Sequence, residues 1–159
     1  MKAIVVFYSR TGDTKKVAQE IANELQCPIE EIFDLKNRSG ALGYISAGRD
    51  ATLKNLTELK PISHNPADYD IIIIGTPIWS WDVSTPIRTY LQNNKGNFKN
   101  LAYFCTMGKS GGNRAFNEME KICGKAPITS LALIAKEIAK NDFANKIIGF
   151  TSQVKNFNA

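Results

Sequence analysis

Three short stretches of this chain hold residue types that could do chemistry together. The first is Ser9-Arg10-Thr11-Gly12-Asp13-Thr14, which crowds three hydroxyls, a guanidinium and a glycine into six positions. Hydroxyls donate hydrogen bonds to phosphate oxygens, and a glycine lets the backbone approach them closely. A helix beginning here adds unpaired N–H groups and partial positive charge, so the stretch suits a phosphate monoester. An ordinary strand-to-helix turn caps its helix with the same residue types, and the stretch alone divides evenly between the two readings. Asp13 is discordant, because its carboxylate repels a phosphate unless the side chain turns away to cap the helix.

The second stretch, Thr76-Pro77-Ile78-Trp79-Ser80-Trp81, contains both tryptophans of the chain. Indole faces stack on flat heterocycles. The third, Thr106-Met107-Gly108-Lys109-Ser110-Gly111-Gly112, is rich in small residues that let backbone come close to a planar ring. A ligand with a phosphate at one end and a planar heterocycle at the other would use all three, and flavin mononucleotide (FMN) has that shape. Each stretch taken singly also has a plain structural explanation. The tryptophans could pack beneath a helix or at a dimer contact, the glycines could form a flexible turn, and Arg10 could be a surface side chain. In extended backbone Trp79 and Trp81 point to opposite sides, so one of them would stack on a ligand.

Positioning these stretches falls to the elements around them. Ala3 to Tyr8 is an apolar run that stops at Ser9, after which Val17, Ala18, Ile21, Ala22 and Leu25 recur at steps of three and four. That is a strand, a tight loop and a helix with one apolar face. Pro28 to Phe33 alternates weakly and reads as a second strand, closing a βαβ unit. Between Asn37 and Pro61, the residues Leu42, Ile45, Ala47, Ala51 and Leu53 could form a short helix, weakened by Gly40, Gly43 and Gly48. Asn65-Pro66-Ala67-Asp68 marks a turn. Tyr69 to Gly75, with four consecutive isoleucines, has the composition of a central parallel strand covered on both faces.

The tryptophan stretch leaves that strand as a loop, and Ser84-Thr85-Pro86 caps a third helix through Leu91. Leu101 to Cys105 reads as a fourth strand, about Asn113 to Cys123 as a helix bearing Phe116, Met119 and Ile122, and Ile128 to Ile134 as a fifth strand. Lys136 to Phe157 is a final helix, with an interruption expected near Asn141 or Gly149. With right-handed crossovers, this order of elements gives a doubly wound sheet with helices on both sides. Ligands of such sheets bind beyond the carboxyl ends of the strands, which is where the three stretches fall.

Composition sets the remaining limits. At 159 residues, 43% hydrophobic and 22% charged, the chain is expected to be one globular domain over residues 1–159. It has no apolar run approaching the roughly 20 residues of a membrane span and no secretory pattern at its start, so no membrane partner is expected and a cytoplasmic location follows by default. Cys27, Cys105 and Cys123 are odd in number, lack Cys-x-x-Cys spacing and have only His64 as an imidazole partner. They read as small buried hydrophobes rather than a disulfide framework or a zinc site. The net charge of +5 is uneven, with 9 Lys/Arg against 10 Asp/Glu in residues 1–75 and 11 against 5 in residues 76–159. The cations are scattered singly, which reads as solvated surface rather than a nucleic-acid face.

Read together, Tyr8-Ser9-Arg10-Thr11-Gly12-Asp13-Thr14-Lys15-Lys16-Val17-Ala18 and Asp68-Tyr69-Asp70-Ile71-Ile72-Ile73-Ile74-Gly75-Thr76-Pro77-Ile78-Trp79 resemble the flavodoxin family, in its branch with a Thr-Pro-x-Trp pattern. The resemblance covers nearly the whole chain in element order. It implies a flavodoxin-like doubly wound three-layer sandwich, α/β, with a five-stranded parallel sheet in order 2-1-3-4-5. It also implies non-covalently bound FMN and one-electron transfer between redox partner proteins, a reductase and an acceptor. By matching position, Ser9, Arg10, Thr11, Gly12, Asp13 and Thr14 would hold the phosphate. Thr76, Pro77, Ile78, Trp79, Ser80 and Trp81 would flank the ring from one side, and Thr106, Met107, Gly108, Lys109, Ser110, Gly111 and Gly112 from the other. Asp13 stands where the family usually has Asn, the third stretch lacks acidic residues common in electron carriers, and the chain is basic where most such carriers are acidic.

An NAD(P)H-dependent flavin or quinone reductase using bound FMN is the alternative, with NAD(P)H or a quinone as small partner. The sequence has no Gly-x-Gly-x-x-Gly, so a nicotinamide would have to bind transiently above the flavin. If Lys109 or Arg114 approaches the ring, its charge favours the anionic reduced flavin and makes a milder reductant. A receiver domain is disfavoured by Tyr8-Ser9 and Gly75-Thr76 where it needs carboxylates. A Walker loop fails because Tyr103 stands five residues before Gly108-Lys109-Ser110, and no Gly-x-Ser-x-Gly elbow exists. His64 reads as a solvated loop residue. Monomer and homodimer both remain open.

Overall fold

The computed structural model describes residues 1–36 and 40–157. Strand β1 (Ala3–Phe7) is buried on both faces, because its apolar residues are continuous rather than alternating. Helix α1 (Asp13–Leu25) follows it, then β2 (Ile29–Glu31), α2 (Gly40–Thr52), a 3-10 turn (Pro66–Asp68), β3 (Ile71–Trp79), β4 (Asp82–Val83) and α3 (Thr85–Asn94). The chain continues with β5 (Asn100–Met107), α4 (Gly112–Cys123), β6 (Ser130–Ile134), α5 (Ala135–Ala139) and α6 (Ala144–Lys155). Five strands form one parallel sheet in the order β2-β1-β3-β5-β6, while β4 pairs antiparallel with the end of β3. Counted without the two-residue β4, this is the expected order 2-1-3-4-5.

Register and the period-two alternation of strands divide the core into two layers. Val5 lies opposite Ile73, which lies opposite Ala102. Ala3, Val5, Phe7, Ile71, Ile73, Ala102 and Phe104 face one side of the sheet, where Val17, Ala18 and Ile21 of α1 and Ile147, Phe150 and Val154 of α6 cover them. Ile4, Val6, Ile72, Ile74, Leu101 and Tyr103 face the other, against Ala47 and Ala51 of α2, Ile87 and Leu91 of α3, and Phe116 and Met119 of α4. Helices therefore cover both faces, and the three-layer sandwich is the observed architecture.

Several boundaries differ from the sequence reading. The region from Asn37 begins with residues outside those described, and α2 then runs from Gly40 to Thr52 despite its glycines. Its small residues Ala47 and Ala51 are buried, whereas Leu42 and Ile45 of the helix, and Leu53 just after it, are exposed. Strand β3 does not stop at Gly75 but continues to Trp79, because β4 folds back to pair with it. The final helix is broken at Asn141, which has φ 56°, while Gly149 sits within α6 without interrupting it. His64 is half-buried rather than solvated. The buried Glu30 carboxylate accepts its backbone N–H at 3.0 Å and lies 3.2 Å from its Nδ1.

The two central strands approach closely at one point. A Cβ built on Gly75 would stand 2.0 Å from Cζ of the fully buried Phe104. A well-packed core that must shift to admit a methyl loses about 1 to 3 kcal/mol. Gly75→Ala is therefore expected to lower the free energy of unfolding by that amount, read as a lower urea midpoint at unchanged slope. An unchanged midpoint would contradict the packing described.

Candidate functional site

Because five strands are parallel, their carboxyl ends open on one edge, and a cleft of about 240 Å³ lies there. Arg10, Thr11 and Asp13 line it from the first stretch, Pro77, Ile78 and Trp79 from the second, and Thr106, Met107 and Gly108 from the third. Ala135, at the start of α5, completes the lining. Sequence reasoning missed it, although the end of the fifth strand was known to fall on the same edge. Hollows of about 530 and 280 Å³ lie elsewhere on the surface, so the chemistry of the lining, not size, distinguishes this cleft.

The first stretch forms the start of α1. Gly12 is its N-cap with φ 105°, a left-handed conformation that glycine adopts without strain. The hydroxyl of Ser9 accepts the Gly12 N–H at 3.1 Å. No side chain caps the helix, so the expectation that Asp13 could turn away to do so is not met. Asp13 is instead the first helical residue, half-buried in the cleft wall, where its charge suits the helix dipole but opposes an anion. Thr14 is buried, and its Oγ1 lies 2.8 Å from Oγ1 of Thr106, tying the first stretch to the third.

The second stretch is a hairpin rather than a loop. Thr76 is fully buried at its base: its Oγ1 lies 2.9 Å from both the Pro77 carbonyl oxygen and Ser84 Oγ, and accepts the Ser84 N–H at 3.1 Å. Ser80 and Trp81 form the two-residue turn with φ of 50° and 62°. Such turns favour Gly or Asn, and each non-glycine residue held there costs on the order of 1 kcal/mol. The turn splits the tryptophans. Trp79 is 6% exposed and meets Tyr8 edge-on, with ring centroids 5.5 Å apart at 89°. Trp81 is 63% exposed, and its Nε1–H donates to Ser110 Oγ at 3.2 Å.

In the third stretch the glycines have separate tasks. Gly108 has open space where a side chain would stand, beside the cleft. Gly111, the N-cap of α4 at φ 113°, admits the hairpin, since a Cβ there would be 2.9 Å from Ile78 Cγ2 and 3.0 Å from Trp81 Cα. Gly112 packs on the sheet, where a Cβ would lie 3.1 Å from both Cys105 Sγ and Ala132 Cβ. Lys109, Ser110 and Arg114 are exposed. Burial pushes the thiol of Cys105 up to about 12 and those of Cys27 and Cys123 to about 11, so all three stay neutral fillers.

A buried ion network holds the hairpin, and nothing in the sequence had singled it out. Arg88 of α3 is 3% exposed; its Nη2 donates to Asp82 Oδ1 at 3.0 Å and its Nη1 to Glu118 Oε1 at 2.7 Å. Lys54 donates to the same Glu118 oxygen at 2.8 Å, and Asp82 also accepts the Val83 N–H at 2.7 Å. The available signal was a lone arginine within Thr85 to Leu91, a helical stretch buried nearly all round. Burial works against ionisation of Glu118, but the hydrogen bonds and charges of Lys54 and Arg88 outweigh it and hold its carboxyl below the usual range.

A family model described as Flavodoxin matches residues 2–149 of the chain. No curated protein matches the sequence. Among solved structures, a flavoprotein in complex with FMN from Lactobacillus acidophilus NCFM is 25% identical, with a TM-score of 0.73 over 87% of this chain and 97% of that one. A flavoprotein from Bacteroides uniformis ATCC 8492 is 22% identical at TM-score 0.70, covering 91% and 97%. Oxidised flavodoxin 1 from Bacillus cereus is 15% identical at TM-score 0.62 over 99% and 100%.

Removing one partner of a buried ion pair leaves an uncompensated charge and costs about 3 to 5 kcal/mol. Arg88→Ala is expected to lose that much in urea unfolding, and a loss below about 1 kcal/mol would contradict the network. Glu118 stays ionised to lower pH in the folded chain than unfolded. Its contribution is therefore present above the ordinary glutamate value of about 4.3 and is lost as pH falls through the lower folded value. Glu118→Gln should flatten the acid limb of a stability profile below about pH 4.3, and an unaltered limb would count against it.

Proposed function

Since this chain belongs to the flavodoxin family, we propose that it holds FMN non-covalently in the cleft at the carboxyl edge of its sheet and carries electrons between a reductase and an acceptor protein. The observation that supports this most is the convergence of all three stretches on one cleft. The lining fits such a group. An α1 start without a side-chain cap leaves first-turn N–H groups for a phosphate, and Gly12 presents no Cβ to obstruct it. The open Gly108 lines the same cleft as Pro77, Ile78 and Trp79, which leaves room there for a flat ring. The FMN-bound relative from Lactobacillus acidophilus NCFM supports the same cofactor.

When bound, a flavin takes up and releases electrons one or two at a time. The chain's own residues bind and orient it. Thr11, Arg10 and the first-turn N–H groups would hold the phosphate, while Ser9, already accepting from Gly12, shapes the loop. Trp79, braced edge-on by Tyr8, would present a fixed wall to the ring. Thr14 and Thr106 would act indirectly, their hydroxyl contact setting the distance between the phosphate and ring sides. The buried hydroxyl of Thr76 fixes the hairpin base rather than touching the ligand.

Purified protein mixed with FMN is expected to show bound-flavin absorption bands with one equivalent retained after gel filtration. Absence of binding would remove the proposal. Asp13 provides a sharper check. Two unit charges about 4 Å apart in water repel by about 1 kcal/mol, so Asp13→Asn should tighten FMN binding about fivefold at low salt, with the gain shrinking as salt rises. An unchanged or weaker dissociation constant would place the phosphate elsewhere.

A further inference from the structure

The surface beside the cleft has the composition of a protein-docking face. Trp81 stands exposed at the tip of the hairpin turn, held by Ser110. Gly48 of α2 abuts that turn, since a Cβ there would be 2.9 Å from Ser80 Oγ. Ile45, one helical turn before Gly48, is 65% exposed, and Leu42, one turn further, is 84% exposed. This is an apolar patch next to the edge where the cleft opens.

Four cations stand close in sequence to residues of this patch or of the adjoining cleft. Lys109 precedes the Ser110 that accepts from Trp81, Arg114 follows the Gly111 packed on Trp81, Arg49 follows Gly48, and Lys136 follows the cleft-lining Ala135. All four are exposed and have no ion-pair partner among the described residues. The carboxylates nearby are already engaged: Asp82 and Glu118 by Arg88, Asp50 by Lys36, and Glu137 by Lys146. Asp13, inside the cleft, is the exception.

We propose that this face, with Trp81, Ile45 and Leu42 at its centre and Arg49, Lys109, Arg114 and Lys136 around it, docks a redox protein whose own electron-exchange edge is ringed by carboxylates. An apolar centre within a charged rim is the anatomy of a transient protein interface, and opposite charge speeds encounter. The cations come singly from four separate segments around an apolar centre rather than along a stripe, which disfavours nucleic acid. The partner's redox nature rests on the reading of the cleft as a flavin site; the docking itself does not.

The test is a titration of ¹⁵N-labelled protein at low salt with two haem proteins, the acidic soluble domain of cytochrome b5 and the basic cytochrome c. With cytochrome b5, the Trp81 indole signal and the amides of residues 109–114 should shift while the Trp79 indole stays put. Binding should weaken about tenfold or more between about 10 and 200 mM salt. Lys109→Glu with Arg114→Glu should weaken it at least as much, with the unmoved Trp79 signal reporting an intact fold. Ile45→Ser should weaken binding at every salt concentration.

Shifts with cytochrome c but not b5, or shifts with neither, would overturn the proposal. Equal shifts and affinity with a single-stranded DNA oligonucleotide would assign the face to nucleic acid and overturn it as well. The titration needs no flavin, so failure to bind FMN, seen separately in the visible spectrum, would count against the proposed function and not against this face.

Discussion

Everything at the cleft depends on strand direction. A parallel strand can follow its neighbour only after a crossover, so each of β1, β3, β5 and β6 ends on the same edge, and each crossover helix starts there. β3 sets this arrangement. Its four isoleucines are buried on both faces, and it pairs with β1 on one side and β5 on the other. Such a strand is stable only under two layers of helices. Once those layers form, the loops leaving the sheet have no other place to gather.

A second constraint is local. The hairpin after β3 puts a serine and a tryptophan in left-handed backbone, a conformation that costs energy at both positions. Three contacts oppose that cost: Arg88 on Asp82 from below, Ser110 on the Trp81 indole from the side, and Gly111 leaving room where a side chain would collide. The turn in exchange separates the two indoles. One becomes a fixed cleft wall and the other a surface group.

The sequence revealed the sheet because its signals were strong and local. Continuous β-branched runs at Ala3–Tyr8 and Ile71–Ile74, and three- and four-residue spacing in Val17 to Leu25, each admit one element type. The three site stretches were legible as composition, but the work of each side chain was not. Whether the hydroxyl of Thr76 or Thr14 faces a ligand or another hydroxyl depends on residues 8 and 92 positions away. The hairpin escaped notice because Ser-Trp carries no turn signal: its conformation is imposed by tertiary contacts. Arg88 was invisible for the same reason, since burial of a charge is tolerated only by partners from other elements. On α2, Ala47 and Ala51 of the apolar set read from the sequence are buried while Leu42 and Ile45 of the same set stay exposed, a division that depends on how closely the helix lies on its neighbours.

The central claim is that one cleft, built from three loops, receives one long flat anion. Amide chemical shifts of ¹⁵N-labelled protein on addition of FMN test it most directly. Large shifts should be confined to the amides of residues 10–14, 78–79 and 106–108, with α6 undisturbed. Shifts centred instead on the hollow between α1 and α6, lined by Lys16, Phe143 and Ile147, would contradict it.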